Sequence, residues 1–422
     1  MTIDVYENLR QEALARIDST GLDPAKQAAE VRDLLEATVD DYQRRAHLGE
    51  GRSLVDPRAT VERLARSVSG HGPLRDLLER PDIEEIFIEG DRVTYLEAGG
   101  ALRSLATPTT EQENRQAVEQ LIASTDRRLD AASPIAQARI LDGSARLTAV
   151  IPPVGDRLSA TIRRYALRRQ TLESLVALGS LPGPAADLLI AAMRANASIL
   201  VSGPPGAGKT SFLSALISAV PIDHCIRACE EVRELHVPLL HGSYYEARPP
   251  SLDGSGEITL RDLVKVTLAM RPDLIVVGEV RGAEAFELTR AVNAGCGLAC
   301  TIHANSAADA LEALVNAALM AGENVPERVV RKVFSSSIDL VVHLDRLNEG
   351  DSIMRQTVEI QAVVPALHDD FSTEPIFKSE RVGVPMHWRG SLPPAPLTER
   401  LERVLPSGMT VRRLLGSGVS RW

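Results

Sequence analysis

Hydrophobic positions in the first seventy residues recur at the three- and four-residue spacing of amphipathic helices. Val5, Leu9, Ala13 and Ile17 share one helical face, and charged residues occupy the other faces. A second helical pattern begins after Pro24. The pattern predicts a helical region over residues 1–70 without candidate chemistry, and we expect it to serve interaction or assembly.

Shorter apolar runs then alternate with turns over residues 71–170. Runs at 83–88 and 93–96 have the length and composition of strands, and the Gly90-Asp91 pair between them is typical of a turn. A helical pattern follows over 117–123, and strand-like runs resume after it. These elements predict a separate, smaller α/β domain.

Arginines cluster near the end of this predicted domain, in a chain that is acidic as a whole. The cluster consists of Arg146, Arg163, Arg164, Arg168 and Arg169. A solvated strand face and a phosphate-facing edge explain it equally well, since arginine binds phosphate through paired, charge-assisted hydrogen bonds. Both interpretations stay open at the level of sequence.

Residues 171–365 show a regular alternation of apolar runs and helical patterns. After two helical patterns, runs of strand length lie at 199–201, 225–228, 274–277, 298–302 and 340–344. Such alternation predicts a parallel sheet with helices on both faces. The remaining residues, 366–422, are rich in proline and end in a helical piece, so we predict a linker and an appendage there.

The stretch 197–220 joins a short apolar run to a helical pattern through a glycine-rich loop. The loop fits G-x-x-x-x-G-K-[ST] in the strand–loop–helix context of a P-loop. Backbone N–H groups of such a loop, with the positive end of the following helix, bind phosphate oxygens. We predict that Lys209 neutralises the β- and γ-phosphates of a nucleoside triphosphate and that Thr210 binds Mg²⁺. The predicted nucleotide-binding residues are Gly203, Pro204, Pro205, Gly206, Ala207, Gly208, Lys209, Thr210 and Ser211.

Acidic residues and a histidine follow the later predicted strands. Glu279 follows one apolar run, with Gly278 at the position where P-loop NTPases usually have an aspartate. Glu230 and Glu231 follow a second run, and His303 follows a third. Since the carboxyl ends of parallel strands meet at one edge of a sheet, we expect these side chains to lie beside the P-loop.

Composition excludes several classes of protein. The chain has 422 residues, 44% of them hydrophobic and 25% charged, which is typical of a soluble protein of two to three domains. A net charge of −10 argues against broad or sequence-specific nucleic-acid binding. No apolar run comes close in length to a membrane span, which needs about 18 residues. The first residues do not resemble a signal peptide. We therefore expect a cytoplasmic protein.

Four cysteines form two C-x₃-C pairs, Cys225 with Cys229 and Cys296 with Cys300. A zinc site and buried small hydrophobic residues are the two interpretations. Zinc sites more often use C-x₂-C, and both pairs lie in apolar, strand-like runs, which favours burial.

The succession of these segments resembles the secretion ATPases of the type II/type IV superfamily, most closely the tight-adherence (Flp pilus) and conjugal-transfer-type branch. The resemblance covers roughly residues 70–345. Its P-loop domain segments are GPPGAGKT (203–210), CEEVREL (229–235) as an Asp box, MRPDLIVVGEVRGAEAFELTRAVNAG (270–295) as Walker B, and CTIHANSAADAL (300–311) as a His box. HGPLRDLLERPDIEEIFIEG (71–90) and LDGSARL (141–147) resemble the N-terminal domain of that family.

The resemblance implies an α/β fold in which a RecA-like P-loop ATPase domain follows a smaller α/β N-terminal domain and a helical prefix. It implies a homohexamer at the cytoplasmic face of the cell membrane that hydrolyses ATP with Mg²⁺. Such a motor drives pilus assembly, or type II/IV secretion, through an inner-membrane platform protein. Arg146 and Arg163 are then expected to face the γ-phosphate.

We expect hydrolysis by in-line attack of water on the γ-phosphate, with Mg²⁺ and the P-loop lysine taking up the developing charge. In this scheme Glu279, together with Glu230 or Glu231, positions the water and the metal. His303 senses the γ-phosphate, and Arg281 couples the strand end to its surroundings.

Three positions depart from the family pattern. Ala269 stands where an arginine is frequent, Gln137 lies near the place of an aspartate, and Gly295-Cys296-Gly297 lacks the first histidine of the His box and one further residue. Two other functions stay open: a RecA-like motor that moves DNA, and a nucleotide-gated scaffold that does not hydrolyse ATP.

Overall fold

A computed structural model describes residues 3–24, 26–68, 71–98, 100–125, 127–164, 170–235, 237–250, 254–322, 324–349, 352–365 and 371–416. The chain divides into two compact units, residues 1–166 and 167–422. Each unit has its own hydrophobic cores.

Three helices open the first unit: α1 (Ile3–Thr20), α2 (Ala28–His47) and α3 (Pro57–Val68). Their apolar faces pack around Leu9, Leu35 and Leu64, as the helical spacing predicts. The hydroxyl of Tyr6 on α1 donates a hydrogen bond to the carboxylate of Glu113 on α5 (Glu111–Ala123). Because of this buried contact, the structure places no unit boundary at residue 70, in contrast to the predicted separate helical region.

The rest of the first unit is an antiparallel sheet in the strand order β3-β2-β1-β6-β5-β4. Helix α5 packs on one face of it. Its elements are α4 (Arg75–Glu79), β1 (Ile83–Glu89), β2 (Arg92–Glu97), β3 (Leu102–Ser104), β4 (Ile135–Ile140), β5 (Ala145–Val150) and β6 (Ser159–Arg164).

A nine-stranded sheet forms the centre of the second unit, in the order β15-β14-β13-β12-β7-β11-β10-β8-β9. The six strands from β12 to β9 run parallel, and the other three are antiparallel additions. The strands are β7 (Ile199–Ser202), β8 (Ile226–Glu230), β9 (Gly242–Glu246), β10 (Leu274–Val280), β11 (Gly297–Ile302), β12 (Leu340–Glu349), β13 (Ser352–Pro365), β14 (Phe371–Lys378) and β15 (His387–Trp388).

Helices cover both faces of this sheet, which confirms the predicted α/β class. In β7, Ile199 and Val201 face one core while Leu200 faces the other, so the whole strand is buried. None of the helices in the described ranges has both the length and the apolar character needed to cross a membrane. The helices are α6 (Leu172–Ala177), α7 (Gly183–Arg194), α8 (Lys209–Ser218), α9 (Leu260–Leu268), α10 (Glu284–Asn293), α11 (Ala307–Leu319), α12 (Glu327–Ser337), α13 (Ala395–Val404) and α14 (Val411–Leu415).

The C-terminal residues are part of the second unit, and the prediction of a linker and appendage over 366–422 is wrong for residues 371–416. Strand β14 extends the sheet beside β13. Arg400 on α13 donates hydrogen bonds to Asp339 at 2.9 and 3.0 Å and to the carbonyl of Asn196 at 2.8 Å, just before the P-loop strand. The prediction took the prolines as a sign of a linker, but Pro394 lies at the N-cap position of α13 and Pro396 in its first turn, where proline is compatible with a helix.

Candidate functional site

The P-loop bends sharply between β7 and α8, and glycine backbones make the bend. Gly203 and Gly208 have φ angles of 153° and 89°, a region that residues with a Cβ rarely adopt. A Cβ on Gly203 would also clash with the carbonyl oxygen of Leu344. Helix α8 begins at Lys209, directly after the loop, so its N-terminal N–H groups face the loop as an anion site requires.

Lys209 is almost fully buried, and its ammonium group is held at the mouth of the loop. The Nζ atom donates to the carbonyls of Gly203 at 3.0 Å and Pro204 at 3.2 Å. It also lies 3.1 Å from Nδ1 of His303. Since an ammonium group can only donate, Nδ1 of His303 is the acceptor in this contact.

His303 connects the P-loop lysine to the end of β10. Burial, followed by the nearby Lys209 charge, lowers the pKa of His303, which favours the neutral imidazole. Its other nitrogen, Nε2, contacts Oε1 of Glu279. Lys209, His303 and Glu279 therefore form a continuous row across the carboxyl edge of the sheet.

Glu279 and its neighbours extend this row. Oε2 of Glu279 accepts a hydrogen bond from Arg281, whose Nη1 lies 3.3 Å from Oε2 of Glu231. Oε1 of Glu279 is buried and faces Nε2 of His303. Both carboxylate oxygens of Glu279 therefore have a partner in this arrangement, and His303 must move before Oε1 can meet a metal ion or a metal-bound water.

Glu230 lies deeper and has other partners. It is 3% exposed, and its carboxylate accepts hydrogen bonds from the backbone N–H groups of Glu234 at 3.1 Å and Leu235 at 3.1 Å. Burial raises the pKa of Glu230 to about 8. The structure therefore places Glu230 as a support of the loop after β8, while Glu231 lies at the exposed end beside Arg281.

Several contacts of the site involve residues that the sequence did not single out. Oε1 of Glu284 accepts the N–H groups of Arg281 at 2.6 Å and Gly282 at 2.9 Å, fixing the turn after β10. Glu284 could have been recognised from the sequence, because an acidic residue in the first turn of a helix commonly accepts hydrogen bonds from free backbone N–H groups there. Arg355 on β13 donates from Nε to the carbonyl of Gly206 at 3.0 Å. No local sequence signal indicates that contact, because β13 is far from the loop in the chain.

Three arginines of the predicted cluster, Arg146, Arg163 and Arg164, lie in the first unit and divide into two groups. Arg146 and Arg163 are cross-strand partners on β5 and β6, and Arg139 on β4, which the prediction did not include, pairs with Arg146. Arg146 donates to Gln137 at 2.9 Å, and Arg163 lies 3.5 Å from Glu85.

Arg164, by contrast, donates to the backbone carbonyls of Leu78 and Arg80, so its role is structural and its place in the cluster is corrected. Arg168 and Arg169 lie outside the described residues.

The residues present fit a magnesium nucleotide. The loop offers a glycine-lined cradle, and Lys209 supplies a buried positive charge. Thr210, half-buried in the first turn of α8, and Glu279 offer the hydroxyl and carboxylate oxygens that Mg²⁺ prefers. The thiols of Cys229 and Cys300 are fully buried, and the described residues contain no cluster of three or more His, Cys, Asp or Glu suited to a metal ion.

Comparison with known proteins gives consistent matches. Residues 80–367 match the family described as type II/IV secretion system protein. A protein of Mycobacterium tuberculosis named "Putative conjugal transfer protein" is 33% identical over 302 residues, which cover 69% of this chain and 85% of that protein. The type IV secretion system protein VirB11 of Brucella suis is 27% identical over 323 residues, covering 69% and 89% of the two chains.

A solved structure shows a related fold. The ATPase DotB of Legionella pneumophila superposes with a TM-score of 0.50 at 17% sequence identity, covering 68% of this chain and 79% of that chain. The family match covers well over half of the chain and includes the P-loop, Glu279 and His303. The chain therefore belongs to the type II/IV secretion system protein family.

Proposed function

We propose that this chain hydrolyses ATP at the carboxyl edge of the parallel sheet. The observation that carries the proposal is the row formed by Lys209, His303 and Glu279, which joins the P-loop to the end of β10. A phosphate-binding lysine and a carboxylate that positions water are two groups that phosphoryl transfer to water uses.

Each residue has a role that follows from its contacts. Lys209 exchanges its carbonyl partners for β- and γ-phosphate oxygens, and the loop N–H groups bind the same phosphates. Glu279 orients the attacking water, and Arg281 holds Oε2 of that carboxylate in place. Thr210 and Glu279 would hold Mg²⁺, which neutralises charge on the phosphates when it is bound. Nε2 of His303, released from Glu279, donates a hydrogen bond to the γ-phosphate and so distinguishes ATP from ADP.

The nine nucleotide-binding residues predicted from sequence, 203–211, remain our assignment for this site. Arg146 and Arg163 belong to the first unit, and we propose that they add positive charge at the γ-phosphate during turnover. Their positions as cross-strand partners on one sheet face, Arg146 half-buried and Arg163 exposed, support this assignment.

We propose that the protein works as a homohexamer on the cytoplasmic side of the inner membrane and acts on an inner-membrane platform protein. The named relatives, a conjugal transfer protein and a type IV secretion protein, support a role in secretion or transfer. Assembly of a tight-adherence pilus is the finer assignment, and it rests on the resemblance of the Walker B and His box segments.

Two experiments test the proposed function. In the first, steady-state phosphate release is measured with and without DNA; release that does not depend on DNA supports a secretion motor, whereas strict dependence on DNA favours a DNA-moving motor. In the second, light scattering is measured with ATP on the Glu279→Gln variant, which we expect to hold nucleotide without hydrolysis. A ring of about six subunits agrees with the proposal, and a persistent monomer at micromolar concentration contradicts it.

A further inference from the structure

The β12–β13 hairpin forms one side of the P-loop. Its backbone approaches the loop first at Leu344, whose carbonyl oxygen lies beside the Cα of Gly203. Two residues further along β12, the guanidinium of Arg346 lies against Gly206, where a Cβ would be only 2.6 Å from Nη1. The absence of a side chain at Gly206 therefore allows an arginine to approach the phosphate-binding loop.

A second arginine of the hairpin also contacts the loop. Arg355 donates from Nε to the carbonyl oxygen of Gly206 at 3.0 Å, and its Cδ is 3.6 Å from the place of a Cβ on Gly208. Gly206 has a φ of 75°, so the hydrogen bond from Arg355 fixes a peptide in an otherwise permissive conformation. Arg355 is thus a positioning residue for the loop.

The two arginines are direct cross-strand partners. Arg346 on β12 pairs with Arg355 on β13 in the sheet register, so both side chains project from the same face. Like charges at such a position repel each other unless an anion lies between or beside them. Among the described residues, Arg346 makes no ion pair, and the carboxylate of Asp345 accepts the backbone N–H of Arg346 instead of its side chain.

We propose that Arg346 binds the phosphate chain of the nucleotide, as a ligand that the same subunit supplies from outside the P-loop. The inference rests on the proposed nucleotide site and adds a residue to it. An arginine there compensates phosphate charge with two or more N–H donors, while Arg355 keeps the loop against the hairpin. A phosphate chain bound here would compensate the two adjacent positive charges, which otherwise have no evident reason to lie together beside the loop in a chain of net charge −10.

The test compares the variants Arg346→Ala and Arg346→Gln with Asn348→Ala. Asn348 is an exposed residue on the same face of β12, two positions further along, and serves as the matched control. Affinity is measured for two probes, ADP and pyrophosphate, by displacement of a fluorescent ADP analogue from the full chain. Thermal melting of each variant reports whether it folds.

We expect both Arg346 variants to bind ADP and pyrophosphate about tenfold more weakly, which corresponds to the loss of one charge-assisted contact. We expect Asn348→Ala to stay within about twofold of the wild type, as for a surface change away from the ligand. Equal affinities of the Arg346 variants and the wild type for both probes would overturn the inference.

Two further results are informative. Weaker binding of ADP with unchanged binding of pyrophosphate places Arg346 at the ribose or base and contradicts the phosphate assignment. If the wild-type protein itself binds neither probe, the proposed function fails, and this inference fails with it.

Discussion

The side chain of Glu230 fills the space beside the Cα of Gly278. A Cβ at position 278 would lie 2.6 Å from Cγ and 3.0 Å from Oε1 of Glu230. Thr301 approaches the same residue from β11 and donates to the carbonyl oxygen of Gly278 at 2.6 Å. This packing explains why the acid that follows the β10 run is displaced by one residue, to Glu279: an aspartate at 278 and a buried glutamate at 230 cannot occupy the same volume.

The packing predicts that Gly278→Ala is disruptive although it adds only one methyl group. The new Cβ must displace the Glu230 carboxylate from its backbone partners, and overpacking of this kind costs about 1–3 kcal/mol of unfolding free energy. Gly282→Ala is the matched control, because its Cβ would meet Glu284 at an ordinary 3.5 Å. Denaturant unfolding should show a clear loss for the first variant and little change for the second. Equal stabilities of the two variants would show that Glu230 moves aside freely.

Glu230 also predicts how stability depends on pH. Its carboxyl pKa is about 8 in the folded chain against 4.5 for an unperturbed glutamate. The folded state therefore binds more protons than the unfolded state between these values, and this residue makes the protein less stable as the pH rises from about 4.5 to 8.

Glu230→Gln removes the titration, so its melting temperature should fall less between pH 5.5 and pH 8 than that of the wild type. The comparison concerns the difference between the two pH values, since the amide also loses one backbone hydrogen bond. Parallel changes in both proteins would mean that Glu230 does not titrate in this range.

His303 predicts a change in turnover without a change in ADP affinity. Its proposed hydrogen bond is made to the phosphate that leaves, so His303→Ala should lower kcat about tenfold or more, the cost of a charge-assisted hydrogen bond. Cys296→Ala is the control, because Cys296 precedes β11 whereas His303 follows it, and its thiol donates to the carbonyl of Pro272 at 3.2 Å. If Cys296→Ala lost turnover while His303→Ala stayed active, the assignment of His303 as the γ-phosphate sensor would be wrong.

Arg146 and Arg163 should matter for turnover more than for folding. Both lie on the solvent side of their sheet with one polar partner each, so their alanine variants should melt within a few degrees of the wild type. We expect each to lose about tenfold in kcat if it meets the γ-phosphate. Arg103→Ala, on exposed strand β3 of the same unit, is the control. Normal turnover in both variants would contradict the γ-phosphate role and would mean that the two arginines only belong to a solvated strand face.

Local pattern was sufficient to predict the elements that build the site. The apolar run before Gly203 and the glycine spacing identified the P-loop, because both depend only on neighbouring residues. The proximity of Glu279 and His303 to each other was also predictable, because parallel strands bring their carboxyl ends to one edge of the sheet. Their contact with Lys209 follows from that arrangement.

Long-range pairing could not be predicted in the same way. The contact of Arg355 with Gly206 depends on the register of β12 and β13. The contact of Tyr6 with Glu113 joins helices 107 residues apart in the chain. Neither has a periodic or motif signal, so the role of the hairpin and the union of the helical region with the first unit emerged only from the structure.

The measurement that tests the central claim most directly is steady-state phosphate release from ATP by the wild type and by Lys209→Ala. Lys209 is the one buried ammonium group that reaches the mouth of the loop among the described residues, and the backbone cradle alone does not neutralise the β/γ charge. We predict turnover by the wild type and less than about a tenth of it in the variant, since loss of such a charge clamp costs several kcal/mol of transition-state stabilisation. Turnover by Lys209→Ala close to the wild-type rate, or none by the wild type, would contradict the account.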